Sequence, residues 1–143
     1  EEGEAVTKDY SKLNTYEMLQ KGSRVAIVAL GTFLGLGKEV AANLEKKTGT
    51  VATVINPVYY SGIDTGMLES LKADHDVVIT IEDGILDGGF GEKITRFYGN
   101  SNMKVLNFGL KKEFLDRYDV QEVLTDNHLT KDQIVADITE VLA

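Results

Sequence analysis

The chain has 143 residues, one domain's worth at roughly 100–200 residues per domain, of which 43% are apolar and 27% charged. Fifteen Lys and Arg stand against 23 Asp and Glu, a net charge of −8, which disfavours nucleic-acid backbones and anionic lipid surfaces as partners. With no cysteine there are no disulfides, thiolate metal sites or cysteine nucleophiles, and no apolar run approaches the ~18 residues of a membrane span. The sequence starts at Glu1 without a methionine. A fragment, a processed product or a trimmed chain is therefore expected, and the lack of cysteine suits a reducing cytoplasm.

Residues 1–12 are polar and unpatterned, and are expected to form a disordered arm or linker ahead of one domain over 13–143. The loose alternation from Leu13 to Leu19 predicts a short edge strand, and Lys21-Gly22-Ser23 a turn. VAIVAL at 25–30 reads as a strand buried on both faces. After Gly31-Thr32 comes a helix with Phe33, Leu36, Val40, Ala41 and Leu44 on one side, ending at Lys46, Lys47 and Gly49. VATVIN (51–56) predicts a second core strand, and Asp64 the cap of a helix carrying Met67, Leu68 and Leu71.

DVVITIE (76–82) is the third core strand, leading into a glycine-rich loop from Gly84 to Gly91 and a short helix through Ile94, Phe97 and Tyr98 that stops at Gly99. KVLNFGL (104–110) is the fourth. Asp119 with Glu122, and Thr130 with Gln133, have the spacing of capping boxes, the latter for a last helix turning Ile134, Ile138, Val141 and Leu142 inward. Strands alternating with helices predict an α/β fold. It is a three-layer, open, mostly parallel sheet of about five strands, with one antiparallel edge strand and helices on both faces.

Ligands of such sheets bind beyond the C-terminal strand ends, here the loops 31–37, 56–64, 82–91 and 107–119. Gly31, Gly35 and Gly37 follow a strand and open a helix, but their offsets of 0, 4 and 6 differ from the 0, 2 and 5 of a dinucleotide fingerprint, and Gly37-Lys38 is followed by Glu39 where a Walker loop needs Ser or Thr. Tight strand-to-helix packing explains these glycines more simply than a nucleotide. Glu82-Asp83-Gly84 with Asn107 imitates a magnesium-holding Gly-Asp-Gly…Asn signature, but the first glycine is missing and Asn107 falls within a strand, so a metal role is rejected. Glu82, Asp83 and Asp87 are expected as loop carboxylates, solvated or pairing with a neighbouring chain.

Gly88, Gly89 and Gly91 permit sharp turns and close approach to protein or ligand. Tyr59 and Tyr60 fit an interface anchor or a loop lid over the core. His75 and His128 are too far apart for a histidine metal site, and no serine stands in a nucleophile elbow. Lys111, Lys112 and Arg117 form a local basic patch best read as a solvated loop. Candidate crevice or interface residues are thus Gly31, Thr32, Tyr59, Tyr60, Glu82, Asp83, Asp87, Gly88, Gly89 and Gly91, with no catalytic, cofactor-binding or metal-binding set.

The succession strand–Gly31-Thr32–helix, strand–Pro57…Asp64–helix, strand–Glu82-Asp83-Gly84…Gly88-Gly89-Phe90-Gly91–helix and Asn107-Phe108-Gly109-Leu110 resembles the C-terminal domain of transketolase-type thiamine enzymes. Through Glu82–Gly91 and the stretch 107–130 it is most similar to the 1-deoxy-D-xylulose-5-phosphate synthases. The resemblance covers roughly residues 14–143, and it departs from the usual pattern at Lys111-Lys112 and at Tyr60-Ser61-Gly62-Ile63. It implies a structural and dimerisation domain. Thiamine diphosphate and magnesium would sit between two upstream domains of the parent enzyme, which condenses pyruvate with glyceraldehyde 3-phosphate, releases carbon dioxide and feeds isoprenoid synthesis. By itself the piece is then expected to be inactive. The same domain from a transketolase or from the β subunit of a 2-oxo acid dehydrogenase is the next reading, and a stand-alone α/β module for a small anionic ligand a third.

Overall fold

The β-branched run around 25–30 lies at the centre of the sheet, where neighbours on both sides and helices on both faces let an uninterrupted apolar strand hide completely. A computed structural model of the chain describes residues 16–30, 33–57, 63–85, 90–110 and 129–142, for 83–85 and Leu110 the backbone only. Five strands are β1 (Glu17–Gln20), β2 (Arg24–Ala29), β3 (Thr53–Asn56), β4 (His75–Ile85) and β5 (Lys104–Leu110), in the order β1-β3-β2-β4-β5. β1 is antiparallel to β3 at one edge, and the other three pairings are parallel.

Alternation along the strands splits the core in two. On one face Val25, Ile27 and Ala29 of β2 and Val77, Ile79 and Ile81 of β4 meet helices α1 (Leu34–Thr48) and α4 (Lys131–Leu142). On the other, Ala26, Val28 and Val78 meet α2 (Thr65–Leu71) and α3 (Phe90–Phe97) through Leu68, Leu71, Phe90 and Ile94. α1 turns Val40, Ala41 and Leu44 inward and stops at Gly49, whose φ of 79° lets its N–H reach the Glu45 carbonyl. The Thr130 hydroxyl caps α4, accepting the Gln133 N–H at 3.3 Å and donating to Gln133 Oε1 at 2.8 Å. Besides Ile134 and Ile138 this helix buries Val135, while Val141 and Leu142 are half-buried.

The loop expected from Gly84 to Gly91 is shorter than that. β4 continues to Ile85, which pairs with Leu110 of β5 after an irregularity, and Gly91 lies inside α3. Ladder hydrogen bonds to β5 outweigh the turn preference of Asp83-Gly84. The arm 1–12, Leu13 and the Asp119–Glu122 capping box lie outside the described residues.

The N-terminal end of the sheet is tightly built. A Cβ on Gly22 would stand 1.9 Å from the Val51 carbonyl oxygen, so only glycine fits. Arg24 follows at φ 68°, a left-handed conformation uncommon outside glycine, held by its N–H on the Asp74 carbonyl (2.8 Å) and by Nε on Asp76 (3.2 Å). At the opposite end the winding reverses between β2, whose helix α1 covers one face, and β4, whose helix α3 covers the other.

Candidate functional site

At that switch point the Leu30 N–H reaches the Ile81 carbonyl at 2.8 Å, and the next residue of β4 is Glu82. The period of two puts its side chain on the α3 side, beneath the start of that helix. Its carboxylate accepts the Phe90 N–H on Oε1 (3.2 Å) and the Gly91 N–H on Oε2 (2.8 Å), and the residue is only 3% exposed. A carboxyl group tolerates such burial because both its oxygens are met by backbone amides at the start of a helix. The expectation of a solvated loop carboxylate is therefore corrected: Glu82 sits on a strand and fastens the first turn of α3.

Beside it lies a chain of hydroxyl and amide groups. Thr80 donates to Asn107 Oδ1 at 2.6 Å, Asn107 Nδ2 donates to Thr95 Oγ1 at 2.8 Å, and Thr95 donates to the Gly91 carbonyl at 3.0 Å. Thr80 and Asn107 stand opposite each other in the β4–β5 register. A Cβ on Gly91 would come within 2.7 Å of both Thr80 Oγ1 and Asn107 Oδ1, so this glycine serves close packing of α3 on the sheet. Sequence reasoning missed Thr80 and Thr95. The signal available was Thr80 and Glu82 on the same side of an otherwise apolar strand.

The neighbouring helix is held in the same manner. Asp64 caps α2, Oδ1 accepting the Met67 N–H at 3.0 Å, while Oδ2 accepts the Tyr16 N–H at 2.8 Å. The Tyr16 ring lies 6.1 Å from that of Phe90. Burial pushes the Tyr16 hydroxyl well above the usual tyrosine range, reinforced by the Asp64 charge and opposed by the hydrogen bond to that residue's backbone. Tyr98, raised chiefly by burial, donates its hydroxyl to the Leu68 carbonyl at 2.6 Å. Both phenols are neutral around pH 7 and neither is a base.

Of the candidates, Glu82 and Gly91 are brought together. Gly31, Thr32, Tyr59, Tyr60, Asp87, Gly88 and Gly89 lie outside the described residues, as do Lys111, Lys112, Arg117, His128 and the side chain of Asp83. In the first glycine group, Gly37 is required by packing, since a Cβ there would meet that of Ala29 at 2.8 Å, whereas Gly35 faces open space. His75 is at the far end of the sheet. Its buried ring joins Thr53 Oγ1 (2.8 Å from Nε2) to Asp74 Oδ1 (2.6 Å from Nδ1), and the Gly22 N–H donates to Thr53 Oγ1 at 2.9 Å. Nδ1 also lies 3.2 Å from the Leu71 carbonyl. Chemically, both ends hold secondary structure together. Among the described residues there is no group of three His, Asp or Glu able to grip a metal ion.

Residues 14–134 match the family model described as the C-terminal domain of transketolase. The chain belongs to the transketolase C-terminal domain family. Among curated proteins it is 32% identical over 145 residues to the 1-deoxy-D-xylulose-5-phosphate synthase of Vibrio campbellii, covering 99% of this chain and 22% of that protein. To the synthase of Carboxydothermus hydrogenoformans it is 29% identical, over 92% of this chain and 21% of the relative. The chain thus spans about a fifth of the length of these relatives. Among solved structures it superposes on the inactive β4 tetramer of a split-gene transketolase with a TM-score of 0.77 and 26% identity, over 87% of this chain and 41% of that one. On the transketolase of Campylobacter jejuni the TM-score is 0.65 at 19% identity, covering 93% and 19%, a likeness of fold.

Proposed function

We propose that this chain is the C-terminal structural and dimerisation domain of a thiamine-diphosphate-dependent 1-deoxy-D-xylulose-5-phosphate synthase, and that it has no turnover of its own. The observation that carries the reading is the family match over 14–134 together with synthases aligned along nearly the whole chain. The parent reaction is condensation of pyruvate with glyceraldehyde 3-phosphate with loss of carbon dioxide, in the cytoplasm.

Thiamine diphosphate with magnesium does not fit the described residues. The buried carboxylate of Glu82 is spent on two amides and that of Asp64 on two more, while Asn107 is bonded at both ends of its amide. On this reading the cofactor belongs to another part of the parent enzyme, and this domain's part is to support it and to pair with a second copy. The split-gene transketolase, whose β chains form an inactive tetramer and of whose chain this one covers 41%, supports the pairing.

The test is carboligation. The isolated chain, given pyruvate, glyceraldehyde 3-phosphate, thiamine diphosphate and magnesium, is expected to read background. Joined behind the upstream part of one of the synthase relatives, it is expected to restore product. Turnover by the isolated chain, or a soluble but inactive chimera, overturns the proposal. Sedimentation of the isolated chain as a strict monomer at high concentration removes the pairing role. A chimera that accepts only ketose donors, and not pyruvate, favours the transketolase reading.

A further inference from the structure

The two edges of the sheet are finished differently. β1 is four residues long, breaks register between Met18 and Gln20 and bears Glu17. Short length, irregularity and charge are what keep an edge from pairing further. β5 is seven residues long, its register with β4 is regular from Lys104 to Phe108, and the sheet order gives it one neighbour among the described strands. An edge strand presents a row of N–H and C=O groups to whatever lies beside it. Val105, Leu106 and Asn107 are half-buried there. α3 lies over both strands, fastened to β4 through Glu82 and to β5 through Thr95 and Asn107. Its residues Glu92, Thr95, Arg96 and Gly99, together with Asn107, line a groove of about 590 Å³ beside β5.

We propose that a second copy of this chain pairs with the free edge of β5, antiparallel and about a two-fold axis near Asn107, so that the two sheets join as one. The inference rests on the pairing proposed above and names its surface. A two-fold interface must be complementary to itself, and α3 supplies the complementarity. Asn107 lies level with the part of the helix between Gly91 and Thr95: its amide donates to Thr95, and a Cβ on Gly91 would stand 2.7 Å from its Oδ1. An axis at that level sets Glu92 of each copy opposite Arg96 of the other, acid against base at both ends of the axis. The spacing agrees. With strands about 4.8 Å apart and α3 seated over β4 and β5, the two helices stand about 10 Å apart across the joint, the usual distance of packed helices. Glu92 and Arg96 are exposed in the single chain, and their side chains are long enough to span that gap. On the other face of the sheet the same register sets the half-buried Leu106 beside Phe108 of the second copy.

The test begins with the unaltered chain, by sedimentation equilibrium over a range of concentrations and amide exchange at the two extremes. A dimer is expected, and with it exchange over residues 104–108 slowed by about tenfold or more while 17–20 is unchanged. Association without slowing over 104–108 overturns the inference and leaves the pairing role in place. A strict monomer overturns both, and the synthase reading still stands or falls on carboligation. Charge reversal then probes the register. Glu92→Arg and Arg96→Glu are each expected to weaken the dimer by about tenfold or more, since each sets like charges together at both ends of the axis. The two substitutions combined are expected to restore it, with circular dichroism reporting that every variant is folded. Folded single variants that associate as tightly as the unaltered chain, or a folded double variant no tighter than the singles, overturn the inference. Should a single variant fail to fold, the exchange pattern of the unaltered chain still decides.

Discussion

The two ends of the sheet solve one problem, how to finish backbone hydrogen bonding, in different ways. At the N-terminal end the chain closes on itself: Gly22 is jammed against the Val51 carbonyl, Arg24 is held at positive φ, and His75 bridges Thr53 and Asp74. At the C-terminal end two carboxylates, Asp64 and Glu82, each take two backbone amides. The tightest steric fit, at Gly22, belongs to the first end, and carboxylates fasten two helices at the second, beside the close packing of Gly91. The first is therefore intolerant of added atoms, and the second of lost charge.

The largest expected effect follows at the steric end. Gly22→Ala places a methyl inside the Val51 peptide, and a loss of about 3 kcal/mol in urea denaturation, or failure to fold, is expected. A loss below ~1 kcal/mol would show that the turn yields and that the end is less rigid than its geometry.

Glu82→Ala tests the charged end. It leaves the Phe90 and Gly91 amides without their acceptor in a buried site, for an expected loss of about 2–3 kcal/mol. Glu82→Gln, which keeps the shape but only one of the two acceptors, is expected to lose roughly half as much. A full loss in Glu82→Ala beside almost none in Glu82→Gln would mean that packing, and not charge, holds α3. Asp64→Ala should cost about 1 kcal/mol, the usual value of a helix cap, with faster amide exchange at Met67 and Tyr16.

The smallest effect concerns Asp74. Its carboxyl is held below the usual carboxylate range, first by the Lys21 ammonium and then by His75, against partial desolvation. A depressed folded value stabilises the protein above the unfolded pKa and ceases to do so as pH falls through the folded one. Asp74→Asn is thus expected to lower Tm slightly and by a constant amount between about pH 7 and 5, the gap closing only below ~4. A gap that closes near the histidine range instead would assign the effect to His75.

Much of the fold is legible along the chain because its signals are local. The uninterrupted run 25–30 can lie only in the middle of a covered sheet, Asp64 and Thr130 mark helix starts by their spacing, and Gly49 marks a stop. The C-terminal end is less so. Asp83-Gly84 reads as a turn, yet the backbone continues as strand, since a ladder to a neighbour 25 residues away (Ile85 to Leu110) outweighs a local preference. Glu82 reads as solvated because a glutamate in isolation prefers water; only the arrival of α3 over β4 supplies the two amides that make its burial favourable.

By itself, then, the order of apolar and polar residues determined the layered α/β architecture, the antiparallel first strand and the family resemblance, all of which depend on periodicity and short spacing. Tertiary structure alone decided that Thr80, Asn107 and Thr95 join in one network, that Gly22 and Gly91 are glycines for want of room, and that Tyr16 is tied to the cap of α2. These depend on contacts between residues distant in sequence, and no local pattern encodes which amide a carboxylate will meet once the layers close.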